Sequence, residues 1–302
     1  LLGLDEMHMY DLYVPLIQEY DRRFTYEEAV DLVLEGLKPL GDEYINLLKK
    51  GFSSRWIDVY ENRGKTSGAY SWGAYGVHPY VLLNFQGTIN DVFTIAHEMG
   101  HSLHTYYSNA EQPYVYASYK IILAEVASTC NEAILMDYLL KNSTDRKEKL
   151  YLLNHFLEEF RTTVLRQVMF AEFEKIAHEM AERGEALTAQ SLGQKYYELN
   201  KLYYGNEMVV DEDISYEWAR IPHFYRSFYV YKYATGFSAA IAISQMIMNE
   251  GRAAVERYKE FLKSGSSDYP LNILKKAGVD LSVPKPIDDA LNVFEKLLEE
   301  FE

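Results

Sequence analysis

The chain has 302 residues, long enough to bury one large core or two modest ones. Hydrophobic residues make up 48% and charged residues 25%, which excludes wholesale disorder. A formal net charge of −15 argues against a general nucleic-acid binder, because the phosphate backbone would be repelled. One cysteine, Cys130, excludes an intramolecular disulfide and fits a reducing, cytoplasmic setting. The longest apolar stretch, Phe237 to Met248, falls short of the roughly 18 residues a membrane span needs, so none is expected. No secretory signal opens the sequence, which starts Leu1-Leu2-Gly3 and reads as a processed or truncated piece.

Thr25 followed by Glu28 predicts a capped helix start, and Val30, Val33, Leu34 and Leu37 continue at helical spacing. Pro39 interrupts, and a second helix is predicted to end on Gly51 as its C-cap. Gly64, Gly68, Gly73, Gly76 and Gly87 break any helix in the next stretch. Within it, Tyr80 to Phe85 reads as a strand. Helices are predicted over 92–107 and 120–140, with a polar connection over 141–149. A long helix over 151–183 stops at Gly184, and Thr188 caps the next one. Residues 205–222 read as irregular, 226–262 as helical, 263–270 as a loop and 287–302 as an amphipathic final helix. The sum is one mainly α domain with a small sheet and no internal repeat.

The chemistry-bearing segment is His97-Glu98-Met99-Gly100-His101, a His-Glu-x-x-His pattern inside a predicted helix. Positions i and i+4 lie about 40° apart around a helix, so both imidazoles point the same way and can share a Zn²⁺ ion. Glu98 projects from a different angle, where it can reach a water on that ion and act as general base. The plain alternative is a pair of ordinary histidines on an amphipathic helix. The apolar run Val92, Phe93, Ile95 and Ala96 suits a buried site, and Gly100 would let a neighbouring helix come close. A third ligand is needed. The metzincin pattern fails, because Tyr107 stands where its histidine belongs and His104 where its glycine belongs. Glu125, in an otherwise apolar helix, is the candidate, since a lone buried carboxylate is costly unless paired or bound to metal. Glu132, seven residues on and on the same face, is placed to support a ligand or is an ordinary exposed helix glutamate, and His104 reads as core or as a support behind a ligand. A di-iron carboxylate site needs a second Glu-x-x-His, and Glu174 to His178 has one residue too many.

These residues resemble the thimet oligopeptidase and oligoendopeptidase F family of zinc peptidases, most closely its oligoendopeptidase F branch. The likeness rests on His97 to His101, on Glu125 downstream, and on Ser67 to Gly73 leading to His78-Pro79-Tyr80. It also rests on a late block, Ile221 to Tyr225 and Phe228 to Gly236, and it spans nearly the whole chain. The resemblance implies a zincin-like α-helical catalytic domain with a small antiparallel sheet beside the His-Glu-x-x-His helix. It implies that 1–302 is a single catalytic domain from the C-terminal part of a longer chain, whose N-terminal portion helps wall a channel. The implied activity is zinc-dependent endopeptidase action on short unstructured peptides, whose backbone the strand Tyr80 to Phe85 would hold as an added strand, with no nucleic-acid or membrane partner. One Zn²⁺ per chain on His97, His101 and Glu125 is implied, with Glu98 as general base. His223, Tyr231 and a further tyrosine, taken as Tyr225 with Tyr229 as the alternative, are implied donors to the reacting carbonyl. The competing reading is a zinc-containing peptide-binding scaffold that cuts nothing because its N-terminal channel wall is missing.

Overall fold

The computed structural model describes residues 2–17 and 22–301. A short strand, β1 (Met7–His8), precedes helix α1 (Tyr26–Gly36). The expected capping box is present: Thr25 Oγ1 accepts from the Glu28 N–H at 3.2 Å, and Glu28 Oε2 accepts from the Thr25 N–H at 2.8 Å. Pro39 sits in a 3₁₀ turn, Lys38–Leu40, before α2 (Asp42–Ser53). Gly51 is not the C-cap predicted for it but lies inside α2, where a Cβ would fall 2.7 Å from Met99 Cε and 3.0 Å from Trp56. Close packing, not a turn, is its reason.

Strands β2 (Ile57–Asp58), β3 (Tyr70–Trp72) and β4 (Tyr80–Leu82) follow, then helices α3 (Ile89–Glu111), α4 (Tyr114–Ala117) and α5 (Ile121–Asn142). The polar connection predicted over 141–149 shrinks to residues 143–145, because the Ser143 N–H and Asn142 Nδ2 still bond the Leu139 and Tyr138 carbonyls. The long predicted helix is α6 (Arg146–Glu159), a π turn at Phe160–Leu165, and α7 (Arg166–Glu182). Thr188 caps α8 (Ala189–Tyr204) as expected, its hydroxyl accepting from the Ser191 N–H at 3.0 Å. Strand β5 (Met208–Val209) and 3₁₀ segments Glu212–Arg220 and Pro222–Tyr225 lead to α9 (Tyr231–Glu250). The helix predicted from 226 cannot begin there, since Phe228 has φ of +53°. After α9 come α10 (Arg252–Leu262), α11 (Pro270–Lys276) and α12 (Lys285–Phe301). Glu302, the last residue of the predicted final helix, lies outside the described residues. Among the described residues no helix is long and apolar enough to cross a membrane.

The described residues divide into two compact units. One holds 22–153 and 235–301. Here α3 packs against α5, α1 contacts both, and α10 packs on α3. Val33, Leu48, Val92, Ile95, Leu123 and Phe261 belong to the buried core. A three-stranded sheet of order β2-β4-β3 rests against α3. Its β3–β4 pairing is antiparallel as expected, with Trp72 opposite Tyr80, and β2 adds a parallel pairing through Ile57 and Val81. The strand expected to take an added peptide is thus the central one. Tyr80–Leu82 bonds β3 on one side, and the Val81, Leu83 and Phe85 N–H groups bond the Trp56, Asp58 and Val59 carbonyls on the other. Strand β3 leaves its outer edge unpaired among the described residues.

The other unit holds 2–17 and 154–234. Its core joins Met169, Phe170 and Phe173 of α7 to Tyr196 and Leu199 of α8, with Ile221 and Val230. Strands β1 and β5 pair in parallel, Met7 opposite Met208. Glu217, buried, accepts from Arg166 Nη2 and the Tyr196 hydroxyl at 2.6 Å each and from Arg220 Nη2 at 2.5 Å.

Candidate metal centre

Helix α3 starts at a cap the sequence also carries: Thr88 Oγ1 accepts from the Asp91 N–H at 3.2 Å, and Asp91 Oδ2 accepts from the Thr88 N–H at 2.7 Å. From there helical periodicity puts His97 and His101 on one face, toward α5. Gly100 allows α5 to come that near. A Cβ on it would fall 2.6 Å from Ser128 Cα and 2.8 Å from the Ala127 carbonyl oxygen.

Glu125 meets the two histidines from α5. Its Oε2 lies 3.4 Å from His97 Nε2 and 3.5 Å from His101 Nε2, and all three donors fall within 4.8 Å of one another. Ligands about 2.0–2.1 Å from a tetrahedral ion stand about 3.3 Å apart, so this spacing fits one metal ion. The three groups also pair opposite charges, and a metal ion would take the place of the imidazole protons between them. Burial works to raise the Glu125 pKa, but hydrogen bonds from His101 and His97 outweigh it and hold the carboxyl well below its usual range. Burial pulls the His97 imidazole down, and the Glu132 and Glu125 carboxylates overcome that and lift it well above its ordinary value.

Glu132 stands behind His97: His97 Nδ1–H donates to its Oε2 at 3.0 Å, which leaves Nε2 to face Glu125. Ser128 Oγ donates to Glu125 Oε2 at 3.2 Å. Glu98 is 6% exposed, and its Oε2 has no hydrogen-bond partner among the described residues. Burial raises its pKa above the usual carboxylate value, against the pull of the neighbouring imidazoles. Of the two readings of His104, the core one holds. It is buried, stacked on Tyr119 with ring centroids 3.7 Å apart, and pushed by burial down to a pKa of about 3, so it is neutral.

One support was not legible beforehand. Asn131, fully buried on α5, donates through Nδ2 to the Ala96 carbonyl at 2.9 Å and accepts from the Tyr44 hydroxyl at 2.9 Å. The bond ends on the residue just before His97. A polar residue in the apolar stretch of α5 was the available signal.

The late block lies in the other unit except for its last two residues. It gathers His223, Tyr229 and Tyr233. His223 Nε2 is 3.2 Å from the Tyr233 hydroxyl, and its ring centroid is 5.5 Å from that of Tyr229. Tyr225 stands apart at 88% exposure. Tyr231 is the first residue of α9, with Lys232 Nζ 4.9 Å from its ring centroid.

Residues 1–293 match the sequence profile of Peptidase family M3. The chain is 56% identical over 302 residues to Oligopeptidase PepF of Bacillus subtilis (strain 168), covering 100% of this chain and 45% of that one. It is 48% identical to the chromosomal Oligoendopeptidase F of Lactococcus lactis subsp. cremoris, covering 100% and 50%. The crystal structure of oligoendopeptidase-F from Enterococcus faecium superposes with a TM-score of 0.77 at 39% identity, over 99% of this chain and 47% of that one. The chain spans about half the length of the curated relatives it matches. A mainly helical fold, a two-histidine, one-carboxylate centre and the matched profile agree: the chain belongs to peptidase family M3.

Proposed function

We propose that this chain is the catalytic portion of a zinc-dependent endopeptidase that hydrolyses short, unstructured peptides. The observation that carries the reading is the donor triangle of His97, His101 and Glu125 beside the buried Glu98, whose Oε2 has no hydrogen-bond partner among the described residues. When bound, zinc supplies Lewis acidity, drawing charge from a peptide carbonyl and bringing the pKa of water toward about 7. Glu98 accepts the proton of the attacking water at Oε2 and hands it to the leaving nitrogen, serving as base and then as acid. Its burial suits both duties, because a carboxyl of raised pKa holds a proton longer.

His223 and Tyr231 donate to the carbonyl oxygen as negative charge builds there, a contribution typically worth about 10² to 10³ in turnover per donor. Tyr229, beside His223, is better supported as the further hydroxyl than the exposed Tyr225. The open edge of β3, Tyr70–Trp72, holds the peptide backbone as an added strand. Relatives named oligopeptidase and oligoendopeptidase support short peptides as substrates. The rest of a full-length protein supplies the remaining channel wall, and the single buried cysteine suits a cytoplasmic setting.

The test pairs metal analysis by mass spectrometry with cleavage of a quenched fluorescent peptide. One zinc per chain is expected, with activity lost on chelation and restored by zinc. Glu98→Gln should keep the zinc and lose cleavage by about 10³-fold or more. Retained cleavage in that variant removes Glu98 from the base role. Full zinc with no cleavage by the wild type favours the peptide-binding scaffold.

A further inference from the structure

The His223–Tyr231 segment is fastened at both ends and exposed between them. Phe224 packs its ring against Phe170 and Phe173, with centroids 5.6 and 5.3 Å away, and Val230 is fully buried in the same core. Tyr225, Arg226, Ser227 and Phe228 are exposed. Within this bridge Phe228 takes φ of +53°, a left-handed backbone that a bulky side chain adopts only when its surroundings impose it.

The imposing groups lie on α7. Glu174, 4% exposed, accepts from the Phe228 N–H through Oε1 at 2.5 Å. One turn on, His178 packs its ring on the Phe228 ring, with centroids 4.6 Å apart and planes 33° apart. Lys232 Nζ, on α9, adds a 2.6 Å bond to the Phe228 carbonyl. Glu174 and His178, the near-motif that fails as an iron site, thus grip one residue by its backbone and its ring. A buried carboxylate must be satisfied, and this one takes a backbone donor from the loop.

We propose that Glu174 and His178 are positioning residues, a latch that holds Phe228 in its left-handed conformation and thereby sets how His223, Tyr229 and Tyr231 are presented. The inference rests on the reading that His223 and Tyr231 act on the reacting carbonyl. Phe228 lies between them in the chain, so a change of its backbone angle turns everything that follows relative to His223. Released, the bridge relaxes toward ordinary backbone angles and the tyrosines lose their setting against the imidazole.

The experiment compares the metal-loaded wild type with Glu174→Ala, Glu174→Gln, His178→Ala and Phe228→Ala. Two readouts are taken: the rate of trypsin cleavage after Arg226 under native conditions, and kcat and KM on a quenched peptide. Glu174→Ala should speed cleavage after Arg226 by about tenfold or more and lower kcat by about tenfold, with KM within about threefold. Glu174→Gln keeps an oxygen acceptor and should stay within about threefold of wild type in both. His178→Ala and Phe228→Ala remove the ring contact without touching the buried carboxylate, so they decide the matter if Glu174→Ala does not fold. They should shift both readouts in the same direction by a few-fold. Cleavage after Arg226 that is unchanged in every folded variant overturns the latch. Faster cleavage with kcat unchanged overturns the positioning role. A wild type without turnover defeats the peptidase reading instead, and the latch then stands or falls on the trypsin rate alone.

Discussion

Glu132 makes no direct claim on the proposed ion, yet it decides which nitrogen of His97 the ion meets. By taking the Nδ1–H at 3.0 Å it leaves Nε2 on the side of Glu125, the nitrogen that would meet an ion once its proton is displaced. Glu132→Ala should therefore weaken zinc affinity by about ten- to a hundredfold while all three proposed ligands remain, measured by competition with a fluorescent chelator. An affinity unchanged by that substitution would show that packing alone holds the ring. Glu132 was legible because a seven-residue step from Glu125 keeps it on the same helical face. The bonds of Asn131 were not, since its partners Ala96 and Tyr44 lie 35 and 87 residues away in the sequence. A buried asparagine announces that it has partners but does not name them.

At the scale of elements, the centre depends on how closely two helices approach. Gly100 on α3 faces Ser128 Cα and the Ala127 carbonyl, and backbone cannot move aside as a side-chain tip can. Gly100→Ala should force α3 and α5 apart, costing about 1–3 kcal/mol by urea unfolding of the metal-free protein. Because α5 carries both Glu125 and Glu132, zinc affinity should fall as well. Loss of stability with affinity intact would mean that the helices slide without disturbing the ligands. Helix α3 itself was plain in the sequence, where apolar residues at helical spacing run into His97. Gly51 was misread because a glycine that admits a neighbour looks, in one dimension, like a glycine that ends a helix. Residues 226–230 were misread for a related reason. Their local sequence allows a helix, and Glu174, 54 residues earlier, selects another conformation. The strand expected over Tyr80 to Phe85 is present as Tyr80–Leu82, but which of its edges were free depended on β2 and β3.

Over the whole molecule, 45 acidic residues face 30 basic ones, so carboxylates remain in excess even if every cation is paired. The unit of residues 2–17 and 154–234 concentrates three donors on one buried acid, Glu217. Burial tends to raise its pKa, but the Tyr196 hydroxyl and the Arg166 and Arg220 guanidiniums overcome that and hold it below the ordinary carboxylate value. Unfolding returns it to that ordinary value, so the unfolded chain binds the proton more readily than the folded one. The stabilisation is therefore complete above the ordinary carboxylate range and is lost as pH falls through it toward the lower folded pKa. Glu217→Ala strands Arg166 and should cost about 3 kcal/mol at neutral pH. Hydrogen exchange, corrected for its intrinsic pH dependence, locates the effect. The variant should lose protection in α7 and α8 and keep it in α3 and α5. Acidification should loosen α7 and α8 in the wild type and change the variant much less, because the titrating group is gone. Equal acid sensitivity of those helices in both proteins would assign the acid response to other carboxylates and leave Glu217 a packing residue.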